Sequence, residues 1–222
     1  MQENEVLYRI AALAIGYLFG LFQTGYFYAK SKGIDIHNVG SGNVGTTNTL
    51  RVLGKKAGLI TFLGDLFKAM LAVWVVYLIF RNQVGSETEI LRVLKLYGGL
   101  GAVLGHNFPC YLKFKGGKGI ASTAGVVIAV APEAAPICLF VFLLTVALTR
   151  YVSVGSISVV SCYLIQIVIF GQMGWFYHFT FAEKVEFYLL SFLFTAMAII
   201  KHRANISRLM NGTENKLGAK KE

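Results

Sequence analysis

The strongest constraint on this chain is a series of apolar runs, each closed by a short polar or basic loop, which fill most of its 222 residues. Hydrophobic residues make up 55% of the sequence and charged residues 14%, whereas a soluble domain carries about 25% charged residues. A helix needs about 20 residues to cross a hydrocarbon core, so the length allows roughly five to seven spans and no sizeable soluble domain beside them. Backbone polar groups in lipid must be satisfied within the segment, which makes the expected fold class an all-α polytopic membrane protein. The acidic start, residues 1–6, has no basic n-region and no small-residue cleavage site. The first apolar run is therefore expected to be a retained helix.

Taken in order, the apolar runs predict helices over 6–29, 57–80, 90–107, 120–130, 137–149, 152–170 and 185–200. Gly16, Gly20 and Gly25 in the first would let a neighbour approach closely. The stretch Pro132-Glu133-Ala134-Ala135-Pro136 breaks what would otherwise be one long run. If that break is a turn, the chain has about seven transmembrane helices, with Ser41, Lys118 and His202 on one membrane face. That face then collects most of the 21 basic residues and leaves Arg9, Arg81, Arg92, Lys95 and Lys184 opposite. The positive-inside rule favours this arrangement, with the N-terminus outside and the C-terminus cytoplasmic. Residues 1–212 read as one membrane domain and 213–222 as a polar cytoplasmic tail, expected to be disordered. Tyr8, Trp74, Trp175, Phe176 and Tyr177 read as interfacial aromatics. The run 120–130 reaches only about 16 Å, so the loop before it is expected to dip into the membrane as a recessed pocket.

That loop, Lys113 to Gly119, holds Lys113, Lys115 and Lys118 among Gly116, Gly117 and Gly119, directly before an apolar segment. Glycines that free backbone N–H groups, a lysine and a following helix N-terminus together suit an anion. No G-x-x-x-x-G-K-[ST] is present, since Gly119 follows Lys118, so ATP hydrolysis is disfavoured. His106 reads either as a helix-end hydrogen-bonder or as a phosphate contact. Asp65 and Lys68, three apart in an apolar helix, should face the bundle interior, as a structural ion pair or as site contacts. Cys110, Cys138 and Cys162 are far apart, with no C-x-x-C, and read as buried small hydrophobes. No metal-ligand spacing and no nucleophile elbow is present, so neither a metal nor an acyl-enzyme is expected. The net charge of +10 follows from membrane topology, so nucleic acid is not implied as a partner.

Three stretches taken together carry a resemblance: S-G-N-V-G-T-T-N-T-L-R from Ser41, G-H-N-F-P-C-Y-L-K-F-K-G-G-K-G from Gly105, and H-R-A-N-I-S-R-L-M-N-G-T-E from His202. With helices of this number between them, the chain resembles the bacterial glycerol-3-phosphate acyltransferases that take acyl phosphate as donor, the PlsY family. The resemblance covers nearly the whole sequence. It implies a multi-pass enzyme of the bacterial plasma membrane, working at the cytoplasmic face without a cofactor. Its partners would be glycerol 3-phosphate, a long-chain acyl phosphate and membrane lipids. Its products would be lysophosphatidic acid and inorganic phosphate, at the first step of phospholipid synthesis. One departure stands out: the family often has G-S-I-P near the end of the first helix, where this chain has Gly20-Leu21-Phe22-Gln23.

Phosphate contacts are expected from Ser41, Gly42, Asn43, Gly45, Thr47, Asn48 and Arg51 in the first motif. The second would contribute His106, Gly116, Gly117, Lys118 and Gly119. Candidate catalytic residues are His202, Asn205, Lys118 and Ser41. His202 and Asn205 would point the same way if the last helix continues through them. Either His202 or a substrate phosphate oxygen would accept the proton of the attacking hydroxyl, while Glu214 is expected to tie down the tail. Two rival readings are an acyl-CoA-dependent enzyme and an organic-phosphate transporter. The absence of H-x-x-x-x-D near either membrane-edge histidine argues against the first. The lack of an internal repeat argues against the second.

Overall fold

Helices account for every regular element in the computed structural model, which describes residues 2–86, 88–174 and 178–218. The aromatic positions 175–177 and the basic residues Lys220 and Lys221 lie outside the described residues. The chain divides into two units, Met1–Ala131 and Pro132–Glu222.

The first unit contains α1 (Gln2–Gly20), α2 (Thr24–Ser31), α3 (Thr46–Leu53), α4 (Lys55–Val84), α5 (Glu89–Asn107) and α6 (Ile120–Val130). Glycine on facing surfaces holds α1 against α5. A Cβ at Gly16 or Gly20 would run into the backbone of Gly98, Ala102 or Gly105, so the two helices approach at backbone distance. Away from that seam, Ala12, Val76, Phe80, Leu91 and Leu94 form a buried cluster flanked by Tyr8 and Tyr77. The short helix α6 lies along α4, where Gly125 meets the carbonyl of Leu66. Its last carbonyl, that of Val130, accepts from Arg92 Nε at 3.3 Å.

The first apolar run is not one continuous helix. It breaks at residues 21–23 even though no proline stands there. A break leaves carbonyls without helical partners, and they need others. Gln23 Nε2 donates to Gly20 O at 3.1 Å, Tyr111 Oη to Leu21 O at 2.8 Å, and Lys68 Nζ to Phe22 O at 2.5 Å. Burial pushes the Tyr111 phenol up to about 12, so it remains a donor at any physiological pH.

The second unit opens with a 3-10 turn at Pro132–Ala134, followed by α7 (Ala135–Thr149), α8 (Val152–Gln172), α9 (Phe181–Lys201) and α10 (Arg203–Met210). Gly155 admits Val146 and Phe142 between α8 and α7. A hydrogen bond between the Tyr163 and Ser191 hydroxyls (3.2 Å) and one from Thr195 Oγ1 to Val160 O (3.0 Å) tie α8 to α9. A capping box of Thr180 and Glu183 starts α9. Cys138 is buried and Cys162 partly so, with Gln166 donating to both sulfurs, whereas Cys110 is exposed rather than buried.

Among the described residues, four helical segments are long and apolar enough to cross a membrane: Asn4–Ser31, Lys55–Val84, Pro132–Thr149 and Val152–Gln172. The bent pair Phe181–Lys201 and Arg203–Met210 makes a fifth if counted as one span. Glu89–Asn107 is helical but more polar, carrying Arg92, Lys95 and His106, and Ile120–Val130 has 11 residues.

Candidate functional site

The first Gly-rich motif folds into a loop braced from inside. Gly40 (φ 62°) and Gly42 (φ 68°) take left-handed backbone that favours glycine. Asn48, buried in α3, accepts from Ser41 N at 2.8 Å and donates to Val39 O at 3.1 Å. Its amide is thus occupied in holding the loop rather than offered outward. Asn43 Oδ1 likewise accepts from Gly45 N at 2.9 Å. Gly45 caps α3 without any side-chain hydrogen bond; Ser41 in the loop before it and Arg51 in the last turn of α3 are exposed. A helix N-terminus with no capping side chain leaves its amide dipoles available to an outside acceptor.

The second motif begins at the end of α5 and returns to the start of α6. Gly116 N donates to Asn107 O at 3.3 Å and Gly117 N to His106 O at 3.0 Å, so the loop folds back on the helix it has just left. A Cβ on Gly117 would strike the His106 ring at Nε2, and one on Gly116 the His106 carbonyl. Gly119 (φ 82°) caps α6, again without a side-chain bond. Lys113 and Lys115 are exposed, while Lys118 is partly buried between its glycines.

Behind this loop lies a polar cluster inside the bundle. Lys68 Nζ is 2.9 Å from Asp65 Oδ1 and 2.8 Å from His106 Nδ1, and the three side chains are nearly sealed from solvent. Asp65 Oδ1 also accepts from Thr24 Oγ1 at 3.3 Å. Gln23 Nε2 donates to Gly105 O and His106 O. Asp65 and Lys68 therefore form an ion pair, and the ammonium extends it to His106. Gln23 and Thr24 were missed by the sequence reading. Their only signal was two adjacent polar residues inside an apolar run. The start of α2 touches both motifs: its N-cap, Gln23, donates to the second, and Gly25 abuts the carbonyl of Val44 and the side chain of Thr49 in the first.

Between α4, α5 and α6 runs a mostly apolar groove of about 680 Å³, lined by Phe67, Leu71, Trp74, Tyr77 and Ala129, with Lys68 and Lys95 also on its wall. Among the described residues, no cluster of three or more His, Cys, Asp or Glu side chains could hold a metal.

The third motif belongs to the second unit. The last helix does not continue through it: α9 ends at Lys201 and the chain bends by 55° into α10. The bend sits at His202, whose carbonyl accepts from the N–H groups of Asn205 and Ile206 (2.8 and 2.9 Å) and starts α10. His202 is 2% exposed and its Nδ1 is 2.7 Å from Ala198 O. Asn205 Nδ2 donates to Glu214 Oε1 at 2.7 Å; Ser153 Oγ joins the same oxygen at 3.1 Å and Arg208 Nε the other at 2.7 Å. Burial works to raise the Glu214 carboxyl. The hydrogen bonds from Asn205, Arg208 and Ser153, with the Arg208 charge, outweigh it and hold the group below its ordinary range. The tail is therefore tethered at Glu214, and again where Leu217 N donates to Arg150 O at 2.7 Å.

Comparison with known proteins adds independent findings. The sequence profile of the family described as glycerol-3-phosphate acyltransferase matches residues 10–212. A glycerol-3-phosphate acyltransferase of Clostridioides difficile (strain 630) is 41% identical over 98% of this chain and 100% of its own length. One from Chlorobium phaeobacteroides (strain DSM 266) is 42% identical over 94% and 96%. Two crystal structures of PlsY (YgiH), an integral membrane glycerol 3-phosphate acyltransferase, share the fold. The glycerol 3-phosphate form has a TM-score of 0.77 at 34% identity, covering 97% of this chain and 96% of that one. The lysophosphatidic acid form scores 0.75 at 35% identity, covering 95% of each.

Proposed function

This chain belongs to the glycerol-3-phosphate acyltransferase family and is a membrane acyltransferase, and we propose that it transfers a fatty acyl group from a long-chain acyl phosphate to the 1-hydroxyl of glycerol 3-phosphate. The products are lysophosphatidic acid and inorganic phosphate. The observation that carries this reading is the pair of helix N-termini in the first unit, α3 and α6. Each follows a Gly-rich loop and each is capped by glycine alone; Lys118 directly precedes the Gly119 cap of α6, and Arg51 extends from the last turn of α3. A reaction whose substrates both carry phosphate requires two such anion sites.

Acyl phosphate is a mixed anhydride with a good leaving group, so the protein's task is positioning and charge neutralisation. The hydroxyl oxygen bonds to the acyl carbon, the carbon–oxygen bond to phosphate breaks, and phosphate leaves with the electron pair. Arg51, Lys118, the Ser41 and Thr47 hydroxyls and the backbone of Gly42, Gly45, Gly116, Gly117 and Gly119 hold the phosphates. Asn43 and Asn48 keep the first loop in shape. The acyl tail lies in the apolar groove along α4. His202 accepts the hydroxyl proton. A carbonyl only accepts hydrogen bonds, so Nδ1 beside Ala198 O carries the ring hydrogen, which puts the basic lone pair on Nε2. Asn205 orients the reacting groups, with Glu214 steadying it.

Seven spans, with the N-terminus outside and the C-terminus and active site cytoplasmic in a bacterial plasma membrane, agree with the charge distribution. Reporter fusions at the two termini test this, and a C-terminal fusion active only in the periplasm would overturn it. For the reaction, purified protein is expected to release phosphate from palmitoyl phosphate only when glycerol 3-phosphate is present, with no CoA. Strict dependence on acyl-CoA refutes the donor assignment. His202→Asn is expected to lower kcat about 10²-fold or more while the protein stays folded.

A further inference from the structure

We propose that Asp65 and Lys68 are positioning residues for phosphate: they hold His106 in the Nε2–H tautomer against Gly117 and thereby set the backbone of the 116–119 loop for the terminal phosphate group of a substrate. The inference rests on the assignment of that loop to phosphate and extends it to residues outside the three motifs.

An ammonium group has three hydrogens to donate and no acceptor capacity. Lys68 places its own at three acceptors, Asp65 Oδ1, Phe22 O and His106 Nδ1. The imidazole nitrogen facing it must then offer a lone pair, which puts the ring hydrogen on Nε2. The alternative partner for Nδ1, Asp65 Oδ1, is 3.6 Å away, beyond useful hydrogen-bond length. Nε2 is the atom that lies closest to where a side chain on Gly117 would begin. The residue so held and its neighbour also support the loop through their backbone. Its carbonyl accepts from Gly117 N at 3.0 Å, and the neighbouring Asn107 carbonyl accepts from Gly116 N at 3.3 Å. Asp65 is itself held by Thr24, and Gln23 donates to the same His106 carbonyl. A continuous polar chain thus runs from the middle of α4 to the residue next to Lys118.

A purely structural ion pair within α4 would be complete with Asp65 and Lys68 three residues apart. Here the ammonium also reaches His106 on α5 and the carbonyl of Phe22 at the α1–α2 break. Buried charge pairs can often be replaced by apolar residues without loss of stability. A pair placed at this junction is better explained by the geometry it imposes on the loop.

The test uses full-length enzyme in detergent with Asp65→Asn, Lys68→Met and the double variant. KM is measured separately for glycerol 3-phosphate and for palmitoyl phosphate. The expected result is a rise of about tenfold or more in one KM with kcat changed by less than about threefold, which also tells which phosphate the loop holds. The double variant should be no worse than the poorer single one, because the residues act in one chain. Histidine ¹⁵N spectra of the wild type should show His106 Nδ1 bare and Nε2 protonated, a pattern lost in Lys68→Met. A fall in kcat with both KM values unchanged, or Nδ1–H in the wild type, overturns the proposal. If the single variants do not fold, the double variant and the wild-type spectrum still decide. Failure of the functional reading looks different: wild-type protein would not turn over the substrate pair at all. Inorganic phosphate binding, followed by ³¹P line broadening, would then still report whether the variants weaken the loop.

Discussion

Each unit contains a carboxylate held by several donors, and the two knots differ in what surrounds them. In the first unit Asp65 is 1% exposed, and its partners Lys68 and His106 are sealed in with it. In the second, Glu214 gathers Ser153, Asn205 and Arg208, but the Arg208 side chain remains about one-third exposed. Water can therefore reach the Arg208 side of the second knot, whereas Lys68 and His106 leave no such opening in the first. A sealed knot sets geometry permanently, whereas one at the edge can open and close with conditions.

The largest effect expected is therefore that of Asp65→Ala. It strands the Lys68 ammonium in the bundle and should cost about 3–5 kcal/mol of stability. Thermal unfolding in detergent reads it. Glu214→Ala should cost less, about 1–3 kcal/mol, since Arg208 can turn to solvent. Equal losses at the two positions would break the distinction. The double replacement Asp65→Leu with Lys68→Met sharpens it. Most of the stability lost in Asp65→Ala should return, because no unpaired charge remains.

That contrast also marks where sequence reading stops. Helix positions were legible because hydrophobic runs and their punctuation are local. The segment 120–130 was bounded correctly at both ends, by Gly119 and Pro132, and Asp65 and Lys68 stood out as charges in an apolar run. The break at 21–23 was not legible. The groups that donate to its loose carbonyls, Tyr111 and Lys68, lie 90 and 46 residues away in sequence. Asn48 illustrates a second limit. An asparagine in a Gly-rich loop looks like a ligand contact, and only the fold shows its amide spent on Ser41 and Val39. At His202 no proline or glycine announces the bend, because the signal is the hydrogen-bond pattern itself. The tail looked unstructured by composition, yet one glutamate with three partners is enough to tie it.

Acidification separates the knots by a route that needs no mutation. The folded-state pKa of Glu214 lies below its ordinary value, so its contribution is present above the unfolded value and lost as pH falls through the folded one. Amides of residues 213–218 should exchange faster relative to the rest of the protein as pH drops below the usual glutamate range. Comparison with Glu214→Gln removes the intrinsic pH dependence of exchange, since the variant has no carboxyl there to titrate. Unchanged relative protection across that range would mean that the hydrogen bonds alone, and not the charge, hold the tail.

The smallest effect should come from Thr24→Val, and it probes the same distinction most finely. The hydroxyl of Thr24 reaches Asp65 Oδ1 at 3.3 Å, near the long end for a hydroxyl donor. Valine keeps the shape, and Asp65 keeps Lys68, so the loss should be about 1 kcal/mol. Ser153→Ala makes the matching change at Glu214, where a 3.1 Å bond is removed and two donors remain. Its bond is the shorter, so bond length alone predicts the larger loss at Ser153. Burial of the carboxylate predicts the reverse, because Asp65 is 1% exposed whereas Glu214 is only partly buried. Finding Thr24→Val the more costly of the two would show that enclosure, rather than bond length, decides what a polar contact is worth in this protein.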